Sequence, residues 1–171
     1  MQMVKKTIII ILSAIIALLV FAPKKNLYYF LEGELKKSGI VLSDETITES
    51  PIGLNISNAK VYVENTYIGD IKDISILTLL AYNRVTVTGF NPTESIKKML
   101  PISVDKAEME YVVSNPMEVS ILIEGSMGKA TGKVDLAQQK VIIRFEDARK
   151  VAPIRSYLKK DKDGWYYEQN L

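Results

Sequence analysis

A chain of 171 residues holds one ordinary domain and a short appendage, because single hydrophobic cores usually take about 100 to 200 residues. Its composition, 47% apolar and 25% charged with 9 Gly and 6 Pro, is that of a folded chain and not of a disordered or collagenous one. Zero His and zero Cys exclude Ser-His-Asp and Cys-His nucleophile systems, thiolate zinc sites, cysteine-ligated iron-sulfur clusters and a disulfide framework.

Residues 1–6 form a short basic tail, and residues 7–22 read TIIIILSAIIALLVFA, without a charge and with Thr7 and Ser13 as the polar side chains. At about 1.5 Å per residue a helix of this length reaches about 24 Å, close to the hydrocarbon core of about 30 Å, and flanking lysines can snorkel across the difference. Ile8, Ile9, Ile10, Ile11, Leu12, Ile15, Ile16, Leu18, Leu19, Val20 and Phe21 are the membrane-anchoring side chains expected here. A cleaved signal peptide is the rival, with Val20-Phe21-Ala22 as its cleavage site. Pro23 directly after that site favours an uncleaved signal anchor. Lys5, Lys6 and the amino terminus precede the run and Lys24 and Lys25 follow it. This modest bias, with nearly all the chain after the span, keeps the tail in the cytoplasm and exports the domain.

Residues 23–39 are expected to form a juxtamembrane helix, with apolar side chains at 27, 28, 30, 31 and 35 and Gly39 as its stop. Tyr28 and Tyr29 suit either the headgroup boundary or packing against a domain.

Residues 40–171 read as a β-rich domain. Alternation at Leu54/Ile56, Val61/Val63, Val85/Val87, Ala107 to Val113, Val119 to Glu124, Gly132 to Leu136 and Val141 to Glu146 predicts half-buried strands. Turn residues at Glu64-Asn65-Thr66, Asn91-Pro92, Asn115-Pro116, Gly125 to Gly128, Ala137 to Gln139 and Asp163-Gly164 favour hairpins. The expected fold is mainly β, an antiparallel sheet, curved or open, behind a single transmembrane helix and a juxtamembrane helix. Two helical interruptions are expected, Thr93 to Leu100 with Thr93 as N-cap and a weaker one around Ile154 to Lys159.

The motifs that suggest chemistry fail on spacing. Gly125 to Gly132 has Ile123 and Ala130 where a phosphate loop needs Gly and Ser or Thr, so a glycine-rich hairpin is expected. Asp161, Asp163 and Gly164 resemble the middle of a calcium loop, but Lys159 and Asn170 occupy its first and twelfth positions. Ser126 with Lys129, Glu108 with Glu110, and Glu146 with Asp147 are the pairs open to acid-base or nucleophilic work, and each reads more simply as solvated strand or turn. No catalytic residue, metal ligand or cofactor is assigned. With Lys5 and Lys6 set aside, acidic and basic side chains balance, which argues against nucleic acid as a partner.

The stretch Leu27-Tyr28-Tyr29-Phe30-Leu31-Glu32 to Ser38-Gly39-Ile40-Val41-Leu42-Ser43 resembles the start of the type II secretion system protein N family. Ala59-Lys60-Val61-Tyr62-Val63 and Leu79-Leu80-Ala81-Tyr82-Asn83-Arg84-Val85 are similar to later parts of it. The resemblance implies a single-pass bacterial inner-membrane protein with a periplasmic β domain, like the AsmA-like and lipid-bridge proteins of bacterial envelopes. Two functions follow as expectations. The first is a non-enzymatic scaffold in a secretion or envelope-assembly complex, its partners other envelope proteins and the membrane, with a closed β core. The second is a lipid-binding or lipid-transfer module in which Val119, Ile121, Ile123, Val134 and Leu136 line an apolar groove.

Overall fold

A computed structural model of the chain describes residues 24–99 and 101–170. The expected membrane anchor, residues 7–22, lies outside the described residues. Among those described, no helix is long and apolar enough to cross a membrane.

Helix α1 (Lys24–Lys37) comes first and ends where Gly39 adopts φ 77°, a left-handed conformation that glycine enters without the Cβ penalty. Eleven strands follow: β1 (Ile40–Ser43), β2 (Thr46–Ser50), β3 (Gly53–Val63), β4 (Thr66–Thr78), β5 (Tyr82–Pro92), β6 (Val104–Val112), β7 (Glu118–Gly125), β8 (Gly128–Asp135), β9 (Lys140–Phe145), β10 (Lys159–Asp161) and β11 (Gly164–Asn170). A short helix α2 (Glu94–Met99) sits between β5 and β6, its Ile96 amide donating to Thr93 Oγ1 at 3.5 Å. A 3-10 turn, Ala152–Tyr157, precedes β10.

All the strands pair antiparallel in one sheet of order β1-β3-β4-β5-β6-β7-β8-β9-β11-β10, with β2 sharing the β1 edge of β3. The first and last strands do not pair, so the sheet is open. It is a meander, and its turns fall alternately on two rims. The β2–β3, β4–β5, β6–β7 and β8–β9 turns share one rim, here the lower. The β3–β4, β5–β6, β7–β8 and β10–β11 turns share the upper rim.

Helix α1 runs from lower to upper rim across β3. Its first turn meets the lower rim, where the Lys25 amide donates to Glu49 Oε1 at 3.1 Å and Lys24 and Tyr28 lie beside Gly53, Leu54, Ile76 and Thr78. Its far end meets the β3–β4 turn, where the Glu64 amide donates to the Gly39 carbonyl at 2.8 Å. Tyr28 is the side chain that seats it. It joins Leu42, Leu54, Ile56, Ala59, Val61 and Ile74 in the core, and its hydroxyl donates to Glu45 at 2.8 Å. Burial first, and the Glu45 carboxylate second, push the Tyr28 phenol well above its ordinary pKa. Of the two readings open for Tyr28 and Tyr29, packing holds for Tyr28, while Tyr29 faces solvent.

The strands alternate as expected except along one line. From β3 to β6 the apolar positions step by three and not two at Ile56 to Ala59, Ile71 to Ile74, Val87 to Phe90 and Val104 to Ala107. The residues skipped face one another across the sheet: Asn58, Lys72, Gly89 and Asp105. Asn58 at φ 59° and Gly89 at φ 67° take left-handed conformations, as does Asp44 at φ 62° between β1 and β2. One extra residue per strand, placed in the same row, forms a crease that leaves the apolar residues on both sides of it on one face. A register shift between β6 and β7 ends the crease, because β7 has no matching extra residue.

Candidate functional site

Cross-strand register divides the sheet into two unlike faces. On one face, salt bridges and hydrogen bonds run from strand to strand: Arg84 to Glu110 at 2.6 Å, Lys133 to Glu118 at 3.0 Å, and Arg144 to both oxygens of Asp161 at 3.1 and 2.8 Å, while Lys106 meets Glu108 along β6 at 2.8 Å. Glu168 is held between Lys140 and Lys159 at 2.8 Å each. The carboxyls respond. Lys106 holds the Glu108 pKa down against burial, with Arg84 assisting; Arg144 does the same for Asp161, and Lys140 with Lys159 for Glu168. The pairs between strands hold the sheet together, and Glu108, Asp161 and Glu168 stay ionised at neutral pH.

The opposite face carries no charged side chain from β5 to β9 at its paired positions. It is built by Val85 and Val87, Ala107, Met109 and Tyr111, Val119, Ile121 and Ile123, Ala130, Gly132 and Val134, and Val141, Ile143 and Phe145. Cover decides what this face does. Under α1, the apolar residues Leu54, Ile56, Ala59 and Val61 of β3 and Ile74 of β4 are buried, with Ile56 1% exposed. From β5 onward, where none of the described helices lies across the middle of the sheet, most residues of this face are partly exposed, Met109 at 44%, although Ala130 is 2% exposed.

Toward the upper rim this face deepens into a cleft of about 510 Å³. Its floor is Ile123, Ile143, Phe145 and Tyr167 from β7, β9 and β11. One wall is Ile96 and Met99 of α2 with Ile102 after it, the other is Ile154, Tyr157 and Leu158 in and after the 3-10 turn, and Met127 of the β7–β8 turn closes the end. Volume and lining fall within the range of small-molecule sites but lack the convergent polar groups that orient a polar ligand. Such a cleft recognises length and apolarity.

No protein-family model matches this chain, and no curated protein or solved structure does.

Val119, Ile121, Ile123 and Val134 all stand on the apolar face, half-buried, as cross-strand neighbours. Ile123 lines the cleft, while Leu136 lies beyond the end of β8 at the lower rim and takes no part in it. Most of the cleft was not assigned from sequence. The sequence marks Ile143 and Phe145 as strand residues and Thr93 to Leu100 and Ile154 to Lys159 as helical, with nothing to say that they meet. Their apolarity at the ends of a β meander was the available signal.

The other sequence candidates are accounted for structurally. Ser126 Oγ accepts from the Ser103 amide at 2.8 Å, fastening the β7–β8 turn to the start of β6. Asp161 accepts from the Asp163 amide at 2.9 Å as well as from Arg144, which makes a clamped turn. Asp147 accepts from the Arg149 amide at 2.9 Å, which lowers its pKa. Among the described residues no group of three or more acidic side chains is placed to hold a metal ion.

Proposed function

We propose that this protein is a non-enzymatic, membrane-anchored lipid-binding module whose open β face holds acyl chains. The single observation that carries the reading is the apolar face from β5 to β9, incompletely covered and continuous with a nearly all-apolar cleft of about 510 Å³. An ordinary soluble domain covers a face of this kind, because uncovered apolar area costs about 25 cal/mol per Å². An acyl chain supplies the missing cover at about 0.8 kcal/mol per buried methylene.

The charge-free run at 7–22 supports a single-pass anchor, with residues 1–6 in the cytoplasm and residues 40–171 outside it. The resemblance to type II secretion system protein N and to AsmA-like proteins agrees with a bacterial inner-membrane protein facing the periplasm. In this reading the protein serves secretion or envelope assembly by holding or passing lipid, with other envelope proteins as partners. The rival scaffold function would use a closed core, and the incomplete burial of Ile121, Ile123 and Ile143 favours the groove.

Photo-crosslinking in bacterial cells tests the proposal. A photoreactive residue at Ile121 or Phe145 is expected to give a lipid adduct by mass spectrometry, and one at Lys133, on the charged face, none. Protein adducts alone at 121 and 145 would return the function to a scaffold.

A further inference from the structure

The two rims of the sheet differ in chemistry as much as its two faces do. The lower-rim turns are Pro51-Ile52, Leu79-Leu80-Ala81, Val113 to Met117 and Leu136 to Gln139, and none contains Asp, Glu, Lys or Arg. Each presents a large apolar side chain to solvent: Ile52 (47% exposed), Leu80 (58%), Val113 (51%) and Met117 (58%), and Leu136 (44%). Turn tips normally favour polar residues, and a row of exposed apolar tips is a feature of interaction surfaces. The upper rim is of the ordinary kind apart from the uncharged Ser126-Met127 turn, whose Met127 lines the cleft. Glu64 and Asn65 make one turn and Lys162 and Asp163 another, and Glu146, Asp147, Arg149 and Lys150 follow β9. Its two most exposed apolar side chains, Met99 and Tyr157, belong to the cleft walls.

We infer that the lower rim is a membrane-docking edge, whose apolar turn tips enter the interfacial layer of a lipid bilayer. The bilayer is chosen over other partners by where the chain arrives. Lys24 and the first turn of α1 sit at this same rim, beside Gly53 and Thr78, so the apolar run at 7–22 joins the domain there and not at the charged rim. Helix α1, pinned to the sheet by Tyr28, fixes the rim relative to that junction. Uncharged tips with apolar side chains suit the headgroup boundary, where a charged turn would resist dehydration. Docked in this way, the strands stand up from the membrane, and the face carrying Tyr111, Val119 and Val134 nearest the lower rim leads without a charged residue to Ile123 and Phe145 at the cleft. The edge would be the doorway through which an acyl chain passes from bilayer to cleft. The docking rests on the anchor reading and is independent of what fills the cleft.

The lack of cysteine makes a direct test simple. The full chain is reconstituted into phosphatidylethanolamine–phosphatidylglycerol vesicles with one spin label at a time, through Leu80→Cys, Met117→Cys or Leu136→Cys on the lower rim. Asn65→Cys and Asp163→Cys mark the upper rim, and Leu19→Cys the anchor. Lower-rim labels are expected to collide with oxygen several-fold more readily than with a water-soluble nickel chelate, and upper-rim labels to show the reverse. Water-like accessibility at 80, 117 and 136 overturns the docking edge. The label at 19 then tells whether the anchor stands without it or has failed too. Lower-rim labels shielded from both reagents, with like-label spin broadening that survives lipid dilution, also overturn it, because a second copy of the chain would then cover the rim.

Discussion

Ile56 and Ile121 stand on the same face of one sheet and differ in cover, which makes them a matched pair. Ile56 is 1% exposed beneath α1 and Tyr28, whereas Ile121, between Met109 and Gly132, is only partly buried. Truncating Ile56 to Ala removes buried methylenes and leaves a cavity that its neighbours cannot fill, at a cost of about 4 kcal/mol. At Ile121 part of the side chain is already in contact with solvent and no closed cavity forms, so Ile121→Ala should cost about 1 kcal/mol. At about 2 to 4 °C per kcal/mol for a chain of this size, the midpoints should fall by about 10 °C and about 3 °C. Thermal unfolding of both variants in the same lipid nanodiscs, followed by the fluorescence of Trp165, the one tryptophan of the chain, gives the comparison directly. Equal losses at the two positions would mean that the β5–β9 face is covered as thoroughly as the core, and the argument for a groove would fail.

Gly89→Ala should destabilise by about 1 to 3 kcal/mol, since φ 67° is unfavourable for a side chain and a Cβ there would lie 2.9 Å from Lys72 Cβ. Chemical denaturation measures it, and a neutral result would show that the crease relaxes freely. Acid should weaken the charged face. Glu108, Asp161 and Glu168 have folded pKa values below their unfolded ones, so their stabilisation is complete above the ordinary carboxylate range and is lost as the pH falls through about 4 and below. Glu108→Gln should therefore be less stable than the parent at neutral pH, with the gap narrowing as both are acidified. A gap that stays constant down to the acid transition would show that Lys106 and Arg84 contribute nothing through the charge of Glu108.

Local patterns settled by themselves the fold class and most of the elements. Period-two alternation marks a strand wherever one face is apolar, which made β3, β5 to β9 and their hairpins legible, as capping chemistry did for α1 and α2. β4 was harder to see, because its isoleucines at 68, 71, 74 and 76 break the period. β1 and β2 are short and partly polar, and no simple alternation announces β10 and β11. The charge-free run at 7–22, the absence of His and Cys, and the amphipathic strands were also plain in the sequence.

Tertiary structure decided everything that depends on which rows align. The spacing of three that disrupts β4 becomes intelligible only when Asn58, Lys72, Gly89 and Asp105 are seen opposite one another, one skipped residue per strand in a single crease. The cleft joins Ile96, Ile123, Phe145, Ile154 and Tyr167, and nothing local in those five segments encodes that they meet. The lower rim is assembled from four turns, each unremarkable alone, and its character comes from the alternation of a meander, which sends every second turn to the same edge. Period and composition are properties of neighbours along the chain, so a sequence displays them directly. Cover is a property of neighbours across the chain, and whether an apolar face becomes a core or a groove depends on where one fourteen-residue helix comes to rest.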